Sequence, residues 1–318
     1  MPGKLQDKVA VITGAARGVG RCTALLMAQE GAKIVVADNG SSVDGSGSSL
    51  APSEAVVDEI KSLGGEATAI ACDVSDWNQS KQLIDSTIEK YGKLDILVNI
   101  AGNFRVNNIV NVTRDDWDAL RKVHMDGMMH TSHFAALHWK ERKEYGRLLN
   151  LTSDSFMSGV PDTFAYAAAK GAVVGMTRAI ANAMVNYNVT ANCMTQISMT
   201  RMADSYYPDS DTKPSDAAPS DQRPDTVPPL IVYLCSPEAS YISGRIFGSN
   251  GFTYVRWSEP EHEKKLESNL DEGWDLDYLF NEFQSTLGAG LSLEKDLQWP
   301  MEDLDQVVGT AGIDTLKK

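Results

Sequence analysis

Cysteine is scarce in this sequence, and the cysteines that occur are widely separated. Four are present, at positions 22, 72, 193 and 235, with no paired spacing. A disulfide framework or a zinc site would need cysteines in matched pairs or short motifs. The pattern instead indicates reduced, buried thiols, and we expect a cytoplasmic protein.

Long hydrophobic runs are missing as well. No run comes near the ~20 apolar residues that a membrane-spanning helix needs, although 42% of the 318 residues are hydrophobic. Residues 1–8 lead directly into a predicted strand, without the apolar segment of a signal peptide. We therefore expect no membrane partner, and enough apolar residues for one large α/β domain.

Basic residues are outnumbered. The chain has 29 Lys and Arg against 43 Asp and Glu, a net charge of −14. Most of the excess lies between Glu259 and Lys318, where 15 acidic residues face 5 basic ones. An acidic chain without a basic patch is not expected to bind nucleic acid or an anionic membrane.

A glycine-rich turn joins the first predicted strand to the first predicted helix. Residues 7–13 predict the strand, residues 21–29 predict the helix, and Gly14, Gly18 and Gly20 lie between them. Glycines let backbone N–H groups approach a pyrophosphate, and the positive end of a helix favours its charge. The unit predicts a dinucleotide site, and the simpler alternative is an ordinary glycine-rich turn.

Asp38 ends the second predicted strand, residues 32–38. An acid about 20 residues after the glycine turn accepts hydrogen bonds from the adenosine ribose and repels a 2′-phosphate. We therefore predict NAD as the cofactor, while Arg17 in the glycine turn leaves NADP as the alternative.

Strands and helices alternate along the rest of the chain. Further strands are predicted at residues 67–72, 94–99, 147–152, 189–194 and 243–248, and helices at 53–63, 76–91, 114–140, 163–186 and 224–235. This alternation predicts an α/β fold with a Rossmann-type, doubly wound parallel sheet in three α/β/α layers. Ligands of such sheets bind at the carboxyl ends of the strands, where Gly14, Asp38, Asp73, Asn99 and Ser153 fall, and Asp73 and Val74 are expected to face adenine.

Tyr166 and Lys170 form a candidate catalytic pair. They are four residues apart in an Ala-rich run, which predicts one helix face. A lysine ammonium there would lower the phenol pKa from its ordinary value of ~10. Ser153, at the end of a predicted buried strand, could hold a substrate oxygen while Tyr166 moves the proton. The alternative is an amphipathic helix with a surface Tyr and Lys.

Other segments are assigned simpler roles. We predict that residues 39–49, rich in Gly and Ser, are a surface linker and that the polar residues 200–226 are a lid over the crevice. The helix at 114–140 carries several histidines, but no cysteine or acid cluster joins them, so we predict no metal site. Residues 1–257 are expected to form the NAD-binding domain and residues 258–318 an acidic C-terminal extension, which has aromatic residues at helix-like spacing, namely Trp274, Tyr278, Phe280 and Phe283.

Over about residues 5–257 these motifs resemble the short-chain dehydrogenase/reductase family. Thr13-Gly14-x-x-x-Gly18-x-Gly20 is similar to its dinucleotide motif, and Asn99-Ile-Ala-Gly102 to its Asn-Asn-Ala-Gly motif. Ser153, Tyr166 and Lys170 have its catalytic spacing of thirteen and then four residues. The resemblance implies that Tyr166 is the acid/base, that Ser153 orients the reacting oxygen, and that Lys170 lowers the Tyr pKa and holds the nicotinamide ribose. The cofactor-binding residues it implies, with those argued above, are Gly14, Arg17, Gly18, Val19, Gly20, Asp38, Asp73, Val74, Asn99, Ala101, Gly102, Tyr166, Lys170 and Ile197.

Two positions depart from the family pattern. His124, in Val123-His-Met-Asp-Gly127, replaces an asparagine that supports a proton-relay water, and a histidine can also bond water. We include His124 among the catalytic residues, with helix packing as the alternative. Gln196-Ile197 replaces the usual Pro-Gly beside the nicotinamide.

A narrower resemblance is to the (3R)-hydroxyacyl-CoA dehydrogenase domain of multifunctional β-oxidation enzymes and its bacterial relatives. This resemblance rests on the Gly/Ser insertion after Asp38, on Asp116-Trp-Asp118, on the Val-His-x-x-Gly pattern and on Trp257.

We predict hydride transfer between a nicotinamide cofactor and a secondary alcohol or ketone. A (3R)-hydroxyacyl-CoA dehydrogenase is the alternative within the class, although the acidic lid suits coenzyme A phosphates poorly. A silent dinucleotide-binding regulator or scaffold is the alternative from another class. The apolar faces of the two long helices predict a homodimer or homotetramer.

Overall fold

A single sheet organises the first part of the chain. The computed structural model describes residues 3–204, 213 and 215–292, and these form two compact units, one up to Arg256 and one from Trp257. The strands of the first unit are β1 (Val9–Thr13), β2 (Lys33–Asp38), β3 (Ala67–Ala71), β4 (Ile96–Asn99), β5 (Gly146–Leu151), β6 (Val189–Ile197), β7 (Ile246–Asn250) and β8 (Thr253–Arg256). Their order is β3-β2-β1-β4-β5-β6-β7-β8, and of these strands only β8 runs antiparallel.

Helices cover both faces of the sheet, so the predicted three-layer fold is confirmed. In chain order they are α1 (Gly18–Gln29), α2 (Ala51–Ser62), α3 (Trp77–Tyr91), α4 (Arg114–Arg121), α5 (Met128–Arg142), α6 (Ser155–Ser158), α7 (Phe164–Met184), α8 (Arg201–Asp204) and α9 (Pro228–Leu234). One core joins α1, α2 and α9 to one face, and a second joins α3, α5 and α7 to the other. Because both faces are covered, β1 reads as a continuous apolar run whose five residues are all buried.

The chain reverses direction across the sheet at β1. It first builds β2 and β3 on one side of β1, and then crosses to place β4 and β5 on the other. In open α/β sheets the ligand crevice lies outside the carboxyl ends of the strands at such a reversal. The fold thus places the crevice above the ends of β1, β2 and β4.

Local signals fix the helices near the site. The side chain of Asp76 accepts a hydrogen bond from Gln79 N at 2.8 Å and caps α3, which ends at Gly92 in the left-handed conformation. Thr113 and Asp116 form a reciprocal capping box at the start of α4. These caps satisfy backbone groups that have no partner within the helix.

The predicted helix over residues 114–140 is not continuous. A π-helical turn, Lys122–Gly127, separates α4 from α5. The prediction of helix is confirmed on both sides of this turn, but the prediction of one regular α-helix over the whole segment was wrong. Single π turns inside α-helices are frequent at functional sites, and this one carries His124.

The last predicted strand, residues 243–248, is only part of a hairpin. β7 starts at Ile246 and continues to Asn250, and β8 follows after two residues. The first of these, Gly251, has a φ of 63°, which glycine adopts without strain. All four residues of β8 are exposed at the sheet edge, so no apolar run marked this strand in the sequence.

The second unit holds one helix among its described residues, α10 (Leu276–Phe283). Asp275 caps it by accepting hydrogen bonds from Asp277 N and Tyr278 N. The aromatic spacing predicted helix here, and Tyr278, Phe280 and Phe283 do lie on α10. The rest of the predicted extension, from residue 293 on, lies outside the described residues, as do residues 205–212 and 214 of the predicted lid. No helix in the described part of the chain is both long and apolar enough to span a membrane.

Candidate active site

One cavity of about 490 Å³ opens at the carboxyl ends of the strands. It is lined by the glycine turn, by the ends of β2 and β3, by the loop after β4 and by the first residues of the predicted lid. Most of the predicted site residues line it, namely Gly14, Arg17, Gly18, Val19, Gly20, Asp38, Asp73, Val74, Ala101, Gly102, His124, Tyr166 and Lys170. Asn99, Ser153 and Ile197 do not.

The glycine turn has the shape of a phosphate cradle. Gly14 has a φ of 69°, and a Cβ on it would lie 2.7 Å from Ala101 Cα. A Cβ on Gly20 would lie 2.0 Å from Gly14 O, so neither position admits a side chain. α1 then starts at Gly18 with no acid in its first turn and no side-chain cap from Arg17. Its free N–H groups therefore fit the pyrophosphate of a dinucleotide.

Asp38 is held in place beside this cradle. Its Oδ2 accepts a hydrogen bond from Ala16 N at 3.0 Å, and its Oδ1 accepts one from Gly40 N at 2.7 Å. Each carboxylate oxygen keeps a lone pair for a ribose hydroxyl. Arg17 and Arg201 lie close by, and burial first, then the charge of Arg17, lowers the pKa of Arg201. This part of the cavity therefore contains two cations beside the acid.

Asn99 is buried in the fold and does not line the cavity. Its side chain donates to Asn150 Oδ1 at 2.9 Å and accepts from Thr131 Oγ1 at 2.9 Å. Thr13 Oγ1 in turn accepts hydrogen bonds from Ile100 N at 3.1 Å and Ala101 N at 3.2 Å. This network ties the loop after β4 to β1 and α5, so Asn99 can position the crevice wall without lining it.

Tyr166 lies among aromatic rings at the inner end of the cavity. Phe104 and His124 each present an edge-on contact, with ring centroids 5.1 Å and 5.3 Å from that of Tyr166. Burial raises the pKa of Tyr166 to about 12; a hydrogen bond with Ser153 opposes the rise, and the charge of Asp154 adds to it. Ser153 is therefore within reach of the phenol, as the catalytic spacing predicts.

Lys170 differs from the prediction in its electrostatics. Its Nζ donates to Leu151 O at 2.8 Å and lies 5.5 Å from the centroid of the Tyr166 ring. Burial lowers the pKa of Lys170 to about 7, so near neutral pH the lysine is partly uncharged. The expected lowering of the Tyr166 pKa is not found, because desolvation is the largest influence on this pKa and raises it, and only the hydrogen bond with Ser153 opposes the rise.

His124 is fully buried on the π-helical turn. Its Nε2 lies 2.8 Å from Asn103 O, which fixes Nε2 as the donor in neutral imidazole, and the buried Nδ1 has no protein partner. Burial, and then the charge of Lys170, lowers the pKa of His124 well below its ordinary value. A histidine of ordinary pKa, ~6.5, would gain a proton within a working pH range, but His124 stays neutral there because an imidazolium would be desolvated beside a lysine.

Gln196 and Ile197, the two residues at the end of β6 that depart from the family pattern, differ in their position relative to the cavity. Gln196 lines the cavity and accepts a hydrogen bond from Ser198 Oγ at 2.6 Å, whereas Ile197 does not line it.

Sequence reasoning also missed Arg105 and residues 41–45, all of which line the cavity. The predicted linker role gave no reason to bring residues 41–45 to the site. Of the histidines on α5, His130 and His133 both pack against Trp77, with ring centroids 5.2 Å and 5.1 Å from its ring. The described residues contain no cluster of three or more His, Cys, Asp or Glu side chains that could hold a metal.

Comparisons with known proteins show which family the chain belongs to. Residues 14–251 match a family described as enoyl-(acyl carrier protein) reductase, of the short-chain dehydrogenase type. The hydroxyacyl-CoA dehydrogenase ChsB1 of Mycobacterium tuberculosis is 33% identical over 85% of this chain and 86% of its own. The peroxisomal multifunctional enzyme type 2 of Drosophila melanogaster is 34% identical over 87% of this chain, which spans 45% of that longer protein.

A solved structure gives the same result. The carveol dehydrogenase of Mycobacterium avium in complex with NAD superposes with a TM-score of 0.70 and 27% identity, over 77% of this chain and 97% of its own. The resemblance to hydroxyacyl-CoA and multifunctional enzymes is thereby confirmed. The chain belongs to the short-chain dehydrogenase/reductase family and is an oxidoreductase that transfers a hydride between a nicotinamide cofactor and an alcohol or ketone.

Proposed function

We propose that this chain is an NAD-dependent dehydrogenase/reductase of secondary alcohols and ketones in which Tyr166 is the acid/base. The observation that carries the proposal is the meeting of Tyr166, Lys170 and the glycine turn in one cavity. When bound, NAD accepts or returns the hydride. The glycine turn and the first turn of α1 hold its pyrophosphate, and Asp38 holds its adenosine ribose.

The protein side chains then have separate tasks. Ser153 hydrogen-bonds the substrate oxygen and directs it to the Tyr166 oxygen, which takes the proton as a phenolate in oxidation and returns it as a phenol in reduction. Lys170 keeps one Nζ hydrogen bond to Leu151 O and has further N–H groups for the nicotinamide ribose. His124 Nδ1 can accept from a water on the Lys170 side of the cavity, which would give the proton a route out.

The choice of NAD rests on Asp38. A 2′-phosphate would face its carboxylate, which already accepts two backbone N–H groups and is held in place. Arg17 and Arg201 reduce this repulsion without removing it, because Arg17 is also engaged with Ser41 O at 3.4 Å. The NAD bound by the carveol dehydrogenase relative supports the same choice.

A (3R)-hydroxyacyl-CoA substrate is the second candidate, favoured by the relative named hydroxyacyl-CoA dehydrogenase. In its described part the predicted lid carries Asp204, Asp216, Asp221 and Asp225 against Arg201, Lys213 and Arg223, so it offers no net positive charge to the phosphates of coenzyme A. We therefore rank simple secondary alcohols first. We also propose a cytoplasmic homo-oligomer, on the reduced cysteines and the apolar long helices, and a domain boundary near residue 257.

The deciding experiment is turnover of a panel of secondary alcohols and 3-hydroxyacyl-CoA thioesters with NAD. Tyr166→Phe removes only the proton-transferring oxygen, so turnover should fall by the ~10²–10⁴-fold typical of general acid–base catalysis while NAD still binds. Retained turnover in Tyr166→Phe would refute the role of Tyr166. A wild type that binds NAD and turns over nothing would favour the silent regulator.

A further inference from the structure

The segment after β2 is part of the crevice wall. Residues 41–45 line the same cavity as Asp38 and the glycine turn. The segment leaves and returns at one place, because Ser49 N donates to Asn39 O at 2.8 Å. The residues between those ends form an excursion over the crevice, which is not the course of a plain linker.

Contacts on both sides of the crevice hold this excursion. On the near side, Arg17 Nη1 donates to Ser41 O at 3.4 Å. On the far side, Phe104 N donates to Val43 O at 3.0 Å. Arg17 belongs to the glycine turn after β1, and Phe104 follows β4. Residues 41–45 therefore run from the end of β2 across the end of β1 to the loop after β4.

Arg105 holds the far end of residues 41–45 in place. Its Nη2 reaches Asp44 O at 3.5 Å, while its Nη1 donates to Asp115 at 2.5 Å and to Asp116 at 3.1 Å. The two carboxylates belong to the first turn of α4, which the capping box fixes. The planar guanidinium can thus hold the excursion against a rigid helix end.

We propose that residues 41–45 form a strap that encloses the adenosine half of the cofactor, and that Arg105 is the positioning residue that keeps the strap closed. The inference rests on the proposed function, because it needs a dinucleotide in the crevice. The adenosine would lie between Asp38 and Asp73 on one side and the strap on the other. Release of the cofactor then requires the strap to lift, which breaks the bonds at Val43 and Asp44 together.

The test measures how fast bound NADH leaves. NADH fluorescence is followed in a stopped-flow displacement by excess NAD, with wild type, Arg105→Gln and a variant that lacks residues 42–47. The adjacent ends at Asn39 and Ser49 allow the deletion to close. Arg114→Gln is the matched control, since Arg114 makes only an exposed ion pair with Asp118 on the same helix.

Arg105→Gln should release NADH about tenfold faster, which corresponds to ~1.4 kcal/mol, with a parallel rise in the dissociation constant. The deletion variant should release NADH faster still than Arg105→Gln does, and Arg114→Gln should release it at the wild-type rate. Equal release rates in wild type and Arg105→Gln would overturn the strap, and this variant decides the question alone if the deletion does not fold. Failure of the proposed function would look different, because wild type would then bind and release NADH without oxidising any alcohol.

Discussion

Lys170 gives the sharpest physical prediction, because the fold buries it and no carboxylate among the residues that the structure describes offsets that burial. Burial lowers its pKa from 10.5 to about 7. At ~1.36 kcal/mol for each pKa unit, the protonated lysine costs the folded state about 5 kcal/mol. Replacement by methionine, which has a similar length and no charge, should remove that cost, so Lys170→Met should be more stable than wild type at low pH.

The sign of the pH dependence follows from proton binding. Between pH 7 and 10.5 the unfolded chain keeps the lysine proton that the folded chain has lost. The free energy of unfolding of wild type therefore rises with pH in this window, by up to ~1.4 kcal/mol per pH unit from this one group. Below pH 7 both states hold the proton, and the full cost is present.

Urea unfolding followed by circular dichroism at pH 6, 7, 8 and 9 measures the effect. The stability advantage of Lys170→Met should be largest at pH 6 and should shrink steadily above pH 7. Groups common to both proteins cancel in the difference, and Lys140→Met, an exposed position on α5, is the control. A constant difference between Lys170→Met and wild type from pH 6 to 9 would refute the reasoning.

Three further outcomes are expected. Asp38→Ala should narrow the preference for NAD over NADP, measured by titration of both cofactors, and tighter binding of NADP by wild type would contradict the role of Asp38. His124→Asn should keep most activity and His124→Ala should lose much of it, measured as the pH profile of turnover. Because burial holds the His124 pKa well below 6.5, the acid limbs of the wild-type and His124→Asn profiles should coincide. If the profiles of all three proteins were superimposable, His124 would be purely structural. Light scattering at micromolar concentration should give a dimer or tetramer, and a monomer would count against the interface proposed for the long helices.

The strands and the glycine turn were predictable because they are local. β1 and β2 follow from apolar runs that end at Gly14 and Asp38, and the site lies where parallel strands end. The Ala-rich run around Tyr166 and Lys170 also located their helix. These features need only neighbours in sequence, and so the fold class and the main cavity residues could be expected from the amino-acid sequence alone.

What sequence could not supply depends on burial and on distant contacts. The pKa of Tyr166 is raised where the sequence predicted a lowering, and the pKa of Lys170 is lowered to about 7, because both groups are desolvated. The strap looked like a linker because its partners, Phe104 and Arg105, lie about sixty residues further along the chain. Ile197 was chosen by resemblance, whereas the neighbouring Gln196 is the residue at the cavity.

The π-helical turn also decides which change of length the chain can accept at this point. A π turn closes its hydrogen bonds over one more residue than an α-helical turn does, so Lys122–Gly127 holds one residue in excess between α4 and α5. Deletion of one residue there would let the turn close as ordinary α-helix and would keep the phase of α5, so Thr131 could still donate to Asn99 Oδ1. The deletion would instead remove the bulge that carries His124. A shortening of this turn should therefore spare the support of the crevice wall and change the position of His124 alone.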